Sequence, residues 1–572
     1  MNTPSGQTWT GAWGNPNEGA YNYQGGNFSN QTIRVALKPS LSGSTIRFKF
    51  DNSLGTSPLN IGHATVALDS GSLSDTPTGT PTTLDFGGSQ TTSIPAGGMV
   101  YSDPLAFSVT ANQYLLVSYQ ITNTVPYLVQ HSYANGSYEW ITATGAGDQT
   151  ANTTGTPFTA TGSDNGNFTD LVTDLDVQSA NTPTEAVLGD NLVDPFQPGT
   201  TLPNSNGYRL SDSLSAAEPS TAQPYGVVAE GIESNQLMTD NPETYNSVSI
   251  GGPAVMSRID RDILDQPNIN TVVVDEGLED LLAGSSATTL ENNGYTALVQ
   301  QLQGWGINVV LTSLTPCDGF TGDGATPNDP CTTTVDANRT DVNAFLGGMN
   351  LGNPWGTPAV YFADFDSAVA VPDTTVNVGE EKLAAGADGG DHANLSLAGF
   401  GALANTLLSP QDTWNLNDGN GMTVATDTAA TDGVNQVLTP NAINNPNTGN
   451  NPLTLNGAAT WSTDATRGTV LSLDGTTGYA SSANTGVINT TGSYSVSVWA
   501  KLNSGFSSTS YYTVVGQRDA TGVRCGFYLQ YSGAYKGWSL VSPSTDNANA
   551  PTYYHAGGNC HCGDLVPPGR HL

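Results

Sequence analysis

The sequence predicts a multidomain chain in which a central α/β domain, a three-layer parallel sheet, is flanked by two β-sandwich domains. Two observations carry this prediction. Residues 1–180 and the region from 411 to 572 contain short alternating strands separated by Gly- and Pro-rich turns, the pattern of sheets with one buried face. Residues 181–410 instead alternate apolar strands with helical stretches, which requires a parallel sheet covered on both faces. A length of 572 residues accommodates three such domains.

In the first region, residues 44–50 alternate strictly and place Ile46, Phe48 and Phe50 on one face. Residues 114–119 read as a second, more fully buried strand. In the middle region, strands are expected at 186–188, 225–229, 270–275 and 307–311. Helical spacing of Leu298, Leu302 and Trp305 predicts a helix over 294–305, and another is expected over 398–408. The strands end in glycine and acid: Gly189 and Asp190, Glu230 and Gly231, Glu276 and Gly277. Ligands bind beyond the carboxyl ends of such strands, so these tips are where a site belongs. In the last region, 441–452 reads as a loop, and 470–473, 494–499 and 527–531 read as sandwich strands.

Composition narrows the function. The net charge of −35 arises from 15 Lys and Arg against 50 Asp and Glu. Such a surface repels nucleic acid and anionic lipid, so neither is expected as a partner. No run approaches the roughly 20 apolar residues of a membrane span. The first residues contain neither a basic nor an apolar signal segment, so a secreted location is inferred without a signal peptide in this sequence. Cys317 and Cys331 close a loop rich in Gly, Pro and Asp, and a disulfide between them is expected, implying an oxidising compartment. Cys560, His561 and Cys562 form no recognisable zinc spacing, so no metal is assigned there. The last residues, from His555 to Leu572, lack strand alternation, and the third domain reads as incomplete, through truncation or a shifted frame.

Several motifs resemble a known family. Gln31 to Arg34, Pro39 and Ser40, Gly43, Ile46 and Arg47, and Asn52 to Thr56 resemble the β-sandwich leader of secreted actinobacterial SGNH/GDSL hydrolases. Gly189 and Asp190, Asp391 and His392, and Ala398 to Phe400 resemble blocks of the hydrolase domain itself. Together the matches span roughly residues 8 to 410. Beyond them, the run from Trp414 to Gly421, Leu473 to Gly475 and Val496 to Trp499 resembles a laminin-G, concanavalin A-like sandwich.

The resemblance implies acyl transfer by a Ser nucleophile, a His base oriented by Asp, and oxyanion donors from Ser, Gly and Asn. Each part is needed, because a hydroxyl is a weak nucleophile without a base and each oxyanion donor is worth about 10²–10³ in rate. This chain departs from the pattern at nearly every functional position. Asn191 stands at the nucleophile, Ser234 at the oxyanion Gly, Glu279 at the oxyanion Asn and Asn394 at the base, while Asp391 is kept. An amide cannot form an ordinary acyl-enzyme, and a carboxylate at position 279 repels an oxyanion. His392 adjoins Asp391 rather than following three residues later, and is expected to be structural or solvated.

If the fold is kept, Asp190, Asn191, Glu279, Asp391 and Asn394 converge at one end of the sheet, with Asn235 and His392 as further binding candidates. Such amides and carboxylates suit sugar hydroxyls, or a hard cation such as Ca²⁺; no other cofactor is expected. The expected function is a catalytically degenerate, secreted hydrolase-fold protein (a pseudoenzyme) that binds an extracellular glycan or cell-surface ligand. The alternative is an active extracellular esterase or carbohydrate-active hydrolase with a non-standard site.

Overall fold

The structure is a computed structural model. It describes residues 8–22, 25–71, 73–131, 138–161, 168–194, 210–217, 225–241, 244–245, 248–249, 251–320, 331–350, 360–373, 380–390, 392–408, 424–425, 453–464, 468–482, 498, 500–503, 505–518, 525–534, 536–543 and 552–556. The chain divides into two compact units, Met1–Leu407 and Leu408–Leu572. The expected first and second domains therefore fall within one unit.

Most sheets are antiparallel. In the first unit, two of them face each other across an apolar core. One contains Thr8–Gly14, Val172–Ser179, Gly43–Asn52, Gly98–Tyr101 and Leu105–Val109. The other runs from Phe158–Ala160 through Tyr138–Thr142, Phe28–Leu37, Leu115–Val125 and Leu59–Asp69 to Pro77–Thr83, with Thr92–Ile94 beside Leu59–Asp69. Ile46, Phe48 and Phe50 are fully buried in this core, as their alternation predicts. Phe50 meets Phe86 and Tyr119 edge-on at centroid distances of 5.4 and 5.5 Å, the favourable aromatic geometry. Lys49 also lies buried, on the opposite face, held by Asp174 at 3.2 Å and Asp265 at 3.0 Å.

One sheet is wholly parallel. Its strands are β1 (Thr184–Gly189), β2 (Gly226–Gly231), β3 (Ile269–Asp275), β4 (Asn308–Thr312) and β5 (Val360–Ala363), in the order β2-β1-β3-β4-β5. Ala186, Leu188, Val272, Val274, Val309 and Leu311 pack with Leu298, Leu302, Val342 and Leu346 in one buried cluster. Leu298 and Leu302 come from the helix Thr296–Gly304, and Val342 and Leu346 from Thr333–Asn350. Trp305 departs from the predicted stripe: it sits beyond the last helical turn and is 68 % exposed. Its helical spacing continues past the point where Gly304 and Gly306 end the helix. A disulfide joins Cys317 to Cys331, with Cα atoms 5.7 Å apart. No helix among the described residues is long and apolar enough to cross a membrane.

The sandwich seals one edge of the parallel sheet. Thr8–Gly14 lies so close to β2 that a Cβ on Gly226 would sit within 2.0 Å of the Gly11 carbonyl oxygen. Ser40 Oγ accepts the Val227 N–H at 2.8 Å and also lies 2.8 Å from the Ala12 and Val227 carbonyl oxygens. Edge N–H groups left unpaired invite aggregation; here the sandwich covers them. Next to this seam, Gln266 Nε2 bridges Asp174 and Glu230, lying 3.0 Å from the latter. Burial, with Asp174 and Asp262 nearby, pushes the Glu230 carboxyl well above the usual range.

The second unit is built of antiparallel strands. Cys525–Ser532 pairs with Tyr512–Arg518 and Gly537–Pro543, and the latter pairs with Thr552–Ala556. Thr552–Ala556 supplies a strand beyond Trp538 that includes His555, where the sequence gives no alternation. Tyr531 packs edge-on against Phe506 and Trp538 at 5.1 and 6.1 Å. The expected strand at 470–473 corresponds to Gly468–Ser472, paired with Thr460–Asp464. The expected loop at 441–452, residues 494–497, Trp499 and residues 557–572 lie outside the described residues.

Ser40→Ala removes the hydroxyl that caps Val227 N–H at the seam. It is expected to lower unfolding free energy by about 1–3 kcal/mol, the cost of an orphaned buried donor, measured by denaturant unfolding of the full chain.

Candidate binding cleft at the carboxyl end of the parallel sheet

The turn after β1 positions the first site residues. A Cβ on Gly189 would lie 2.2 Å from the Asp275 carbonyl oxygen, so only glycine lets β1 and β3 end this close together. Asp190 and Asn191 follow, and the Val193 and Asp194 amides both bond back to the Asp190 carbonyl at 2.9 Å. Glu279 comes from the short helix Leu278–Leu282 after β3. Asn394 comes from the segment before the helix Leu397–Leu408.

These elements line a small, partly open cleft with polar walls of Asp190, Asn191, Asp275, Glu279, Thr315 and Asn394. Leu192, Leu278, Leu282, Leu314 and Ala393 form its apolar walls. Four of the residues singled out in the sequence thus meet here: Asp190, Asn191, Glu279 and Asn394. Asp391 lies outside the described residues.

Asn191 is held at both ends of its amide. Its Oδ1 accepts the Ser234 N–H at 2.6 Å, and its Nδ2 donates to Glu279 Oε1 at 2.9 Å. Ser234 has φ 53°, in the left-handed region that favours glycine, the residue the resemblance expects there. Its carbonyl accepts Asn241 Nδ2 at 2.7 Å, which fixes the peptide that presents the N–H.

Three of the sequence-predicted residues stand apart from the cleft lining: Ser234, which bonds Asn191 through its N–H, Asn235 and His392. Asn235 points into the interior. Its Nδ2 donates to the Gly251 and Pro253 carbonyls at 2.7 and 2.8 Å, and its Oδ1 accepts Arg258 Nε and Nη2 at 3.1 and 2.9 Å. His392 also has positive φ, 74°, and turns its ring to Asp388, with Nδ1 2.8 Å from Asp388 Oδ2. Its side chain is 53 % exposed.

Behind Asn191 lies a set of carboxyl groups, of which only Asp190 is a binding candidate in the sequence. Asp190, Asp275, Glu276 and Asp280 are all buried. Burial pushes each upward, and Asp190 and Glu276 rise well above the usual range because neighbouring carboxylates add repulsion. Asp275 reaches about 6 despite the Thr312 hydroxyl donating to its Oδ1 at 2.6 Å. Asp280 also reaches about 6, although Leu237 N–H donates to it at 2.7 Å. Asp280 ties the helix carrying Glu279 to the loop after β2, a positional role. Periodicity alone could not rank these acids, since their burial depends on three strands ending together.

Among the described residues lining the cleft, none is Ser, Cys, His, Lys or Arg. The arrangement offers hydrogen-bond donors and acceptors beside apolar walls, without a nucleophile–base pair.

No family model and no curated protein sequence matches this chain. Solved structures with a detectable likeness include a family two carbohydrate esterase from Clostridium thermocellum, solved with cellohexaose. It is 13% identical at a TM-score of 0.26, over 69% of this chain and 97% of that one. An acetylxylan esterase from Geobacillus stearothermophilus is 16% identical at a TM-score of 0.23, over 40% of this chain and 92% of that one. An acetyl xylan esterase from Butyrivibrio proteoclasticus is 9% identical at a TM-score of 0.22, over 64% and 87% of the two chains. At these scores the likeness carries no weight for activity, which must be argued from the cleft itself.

The raised carboxyl groups set a pH dependence. With Asp275 and Asp280 near 6 in the folded chain against 3.8 ordinarily, the folded state holds more protons between about pH 4 and 6. The contribution of these two groups to stability therefore falls as pH rises through that window, and the more strongly raised Asp190 and Glu276 extend the fall above it. Asp275→Asn is expected to flatten this slope and to raise stability at pH 7 by about 1–3 kcal/mol, read from denaturant unfolding at stepped pH.

Proposed function

We propose that this chain is a secreted protein with a three-layer SGNH/GDSL-type hydrolase fold, whose cleft binds rather than cleaves. Its ligand on this reading is a hydroxyl-rich molecule, an extracellular glycan or a glycan-bearing surface. The observation that carries the proposal is the double hydrogen bond of Asn191.

An amide nitrogen engaged with a carboxylate is no nucleophile. The Ser234 N–H, the donor that would face an oxyanion, is already occupied by Asn191 Oδ1. Glu279 places negative charge where a serine hydrolase needs a donor. Asn191, Thr315, Glu279 and Asn394 instead supply the side-chain donors and acceptors that sugar hydroxyls use, beside leucine walls that suit a sugar ring. The same oxygen-rich set also suits a hard cation such as Ca²⁺, as a companion to the sugar. The disulfide between Cys317 and Cys331 fits an oxidising location.

A second reading has its own observation. Asp275 lines the cleft with its carboxyl pushed up to about 6, the range of a general acid. Paired with Glu279, it would serve glycosidic cleavage by two carboxyl groups.

One comparison separates the readings. Wild-type protein is assayed on p-nitrophenyl esters and glycosides beside an Asn191→Ser/Glu279→Asn/Asn394→His variant, with binding to soluble glycans measured in parallel, with and without Ca²⁺. The expected result is no turnover by wild type, gain of ester hydrolysis by the variant, and glycan binding weakened at least tenfold by Glu279→Ala. Wild-type glycoside turnover abolished by Asp275→Asn would establish the second reading instead.

A further inference from the structure

Away from the cleft, three titratable side chains from distant parts of the chain meet in the interior. Glu18 directly precedes the short strand Gly19–Tyr21, and His131 ends the strand Leu128–His131 that pairs with it. Asp194 closes the turn after β1, three residues beyond Asn191. Their side chains are 2, 1 and 3 % exposed, and ligand atoms of all three lie within 4.8 Å of one another.

We propose that Glu18, His131 and Asp194 form a binding site for one divalent cation of the zinc type, which pins the Asn191-bearing turn to the sandwich. Three features argue for it. First, His131 Nδ1 lies 2.6 Å from the Pro16 carbonyl oxygen. An N–H donated there fixes the tautomer and leaves the Nε2 lone pair facing Asp194, the usual support of a metal-bound histidine. Second, Nε2 is 2.8 Å from Asp194 Oδ2, yet the contact lacks hydrogen-bond alignment, and neither Asp194 oxygen accepts a hydrogen bond from a described residue. Two ligand atoms each about 2.1 Å from a tetrahedral cation stand about 3.4 Å apart, so a separation of the ring and the carboxylate by roughly 0.6 Å admits one. Third, a neutral imidazole with two carboxylates carries charge −2, which a divalent cation cancels. The ligand set of one imidazole and two carboxylates falls within the zinc repertoire.

The test uses the full chain carrying Cys560→Ser and Cys562→Ser, so that terminal thiols cannot supply the signal, purified without a metal-affinity tag and treated with chelator. Zn²⁺ is titrated by calorimetry at pH 7. The expected result is one equivalent bound and a raised Tm. Co²⁺ in place of Zn²⁺ should give a d–d spectrum of nitrogen and oxygen ligation without thiolate charge transfer. His131→Gln and Asp194→Asn, checked for native near-UV circular dichroism, should each weaken binding at least about tenfold. No saturable binding by the folded parent chain would overturn the proposal and leave the trio as an imidazolium ion-pair cluster. Unchanged affinity in a folded His131→Gln variant would overturn it equally. Should both variants misfold, the parent titration and its Co²⁺ spectrum decide alone.

Discussion

The first unit depends on the close approach between the sandwich and the edge strand of the parallel sheet. A parallel strand at an edge has N–H and C=O groups that no neighbour within its own sheet can satisfy. Gly11 and Gly226 let two backbones come together there, and Ser40 supplies the hydroxyl that serves Val227. The buried group of Lys49, Asp174, Gln266 and Glu230 lies beside the same contact, and the exposed Asp265 carboxylate also holds Lys49. Charges taken out of water need such partners to be tolerated at all. Sandwich and sheet therefore belong to one compact unit, and the cleft lies within it.

Within that unit a few residues set the shape of the cleft. Gly189 brings β1 against β3, and Ser234 adopts a backbone conformation that favours glycine. On this frame the Asn191 amide stands at the strand tip, and the Glu279 carboxylate faces it from the helix.

Much of this was legible in the sequence where the information is local. The alternation of Ile46, Phe48 and Phe50, the apolar strands and the Gly–acid tips all reflect periods of two to four residues, and the structure realises them. Asn191, Glu279 and Asn394 were placed by motif, and they line one cleft because each follows a strand tip or precedes a helix at the same end of the sheet. Other features depend on pairs of residues far apart. The interior bonding of Asn235 requires Arg258, and the turning away of His392 requires Asp388 and a positive φ. Nothing in the spacing of Gly11, Ser40 and Gly226 announces that they meet. Trp305 misled because helical spacing does not mark where a helix stops.

The hydrogen bond between Asn191 and Glu279 has a consequence for how the two positions respond to substitution. Residues in direct contact couple, so their replacements are non-additive. Alanine at 191 removes a donor from Glu279 and an acceptor from the Ser234 N–H at once, whereas alanine at 279 removes the acceptor of the Asn191 nitrogen alone. The pair therefore acts as one unit of stability: losing both members costs less than the sum of losing each.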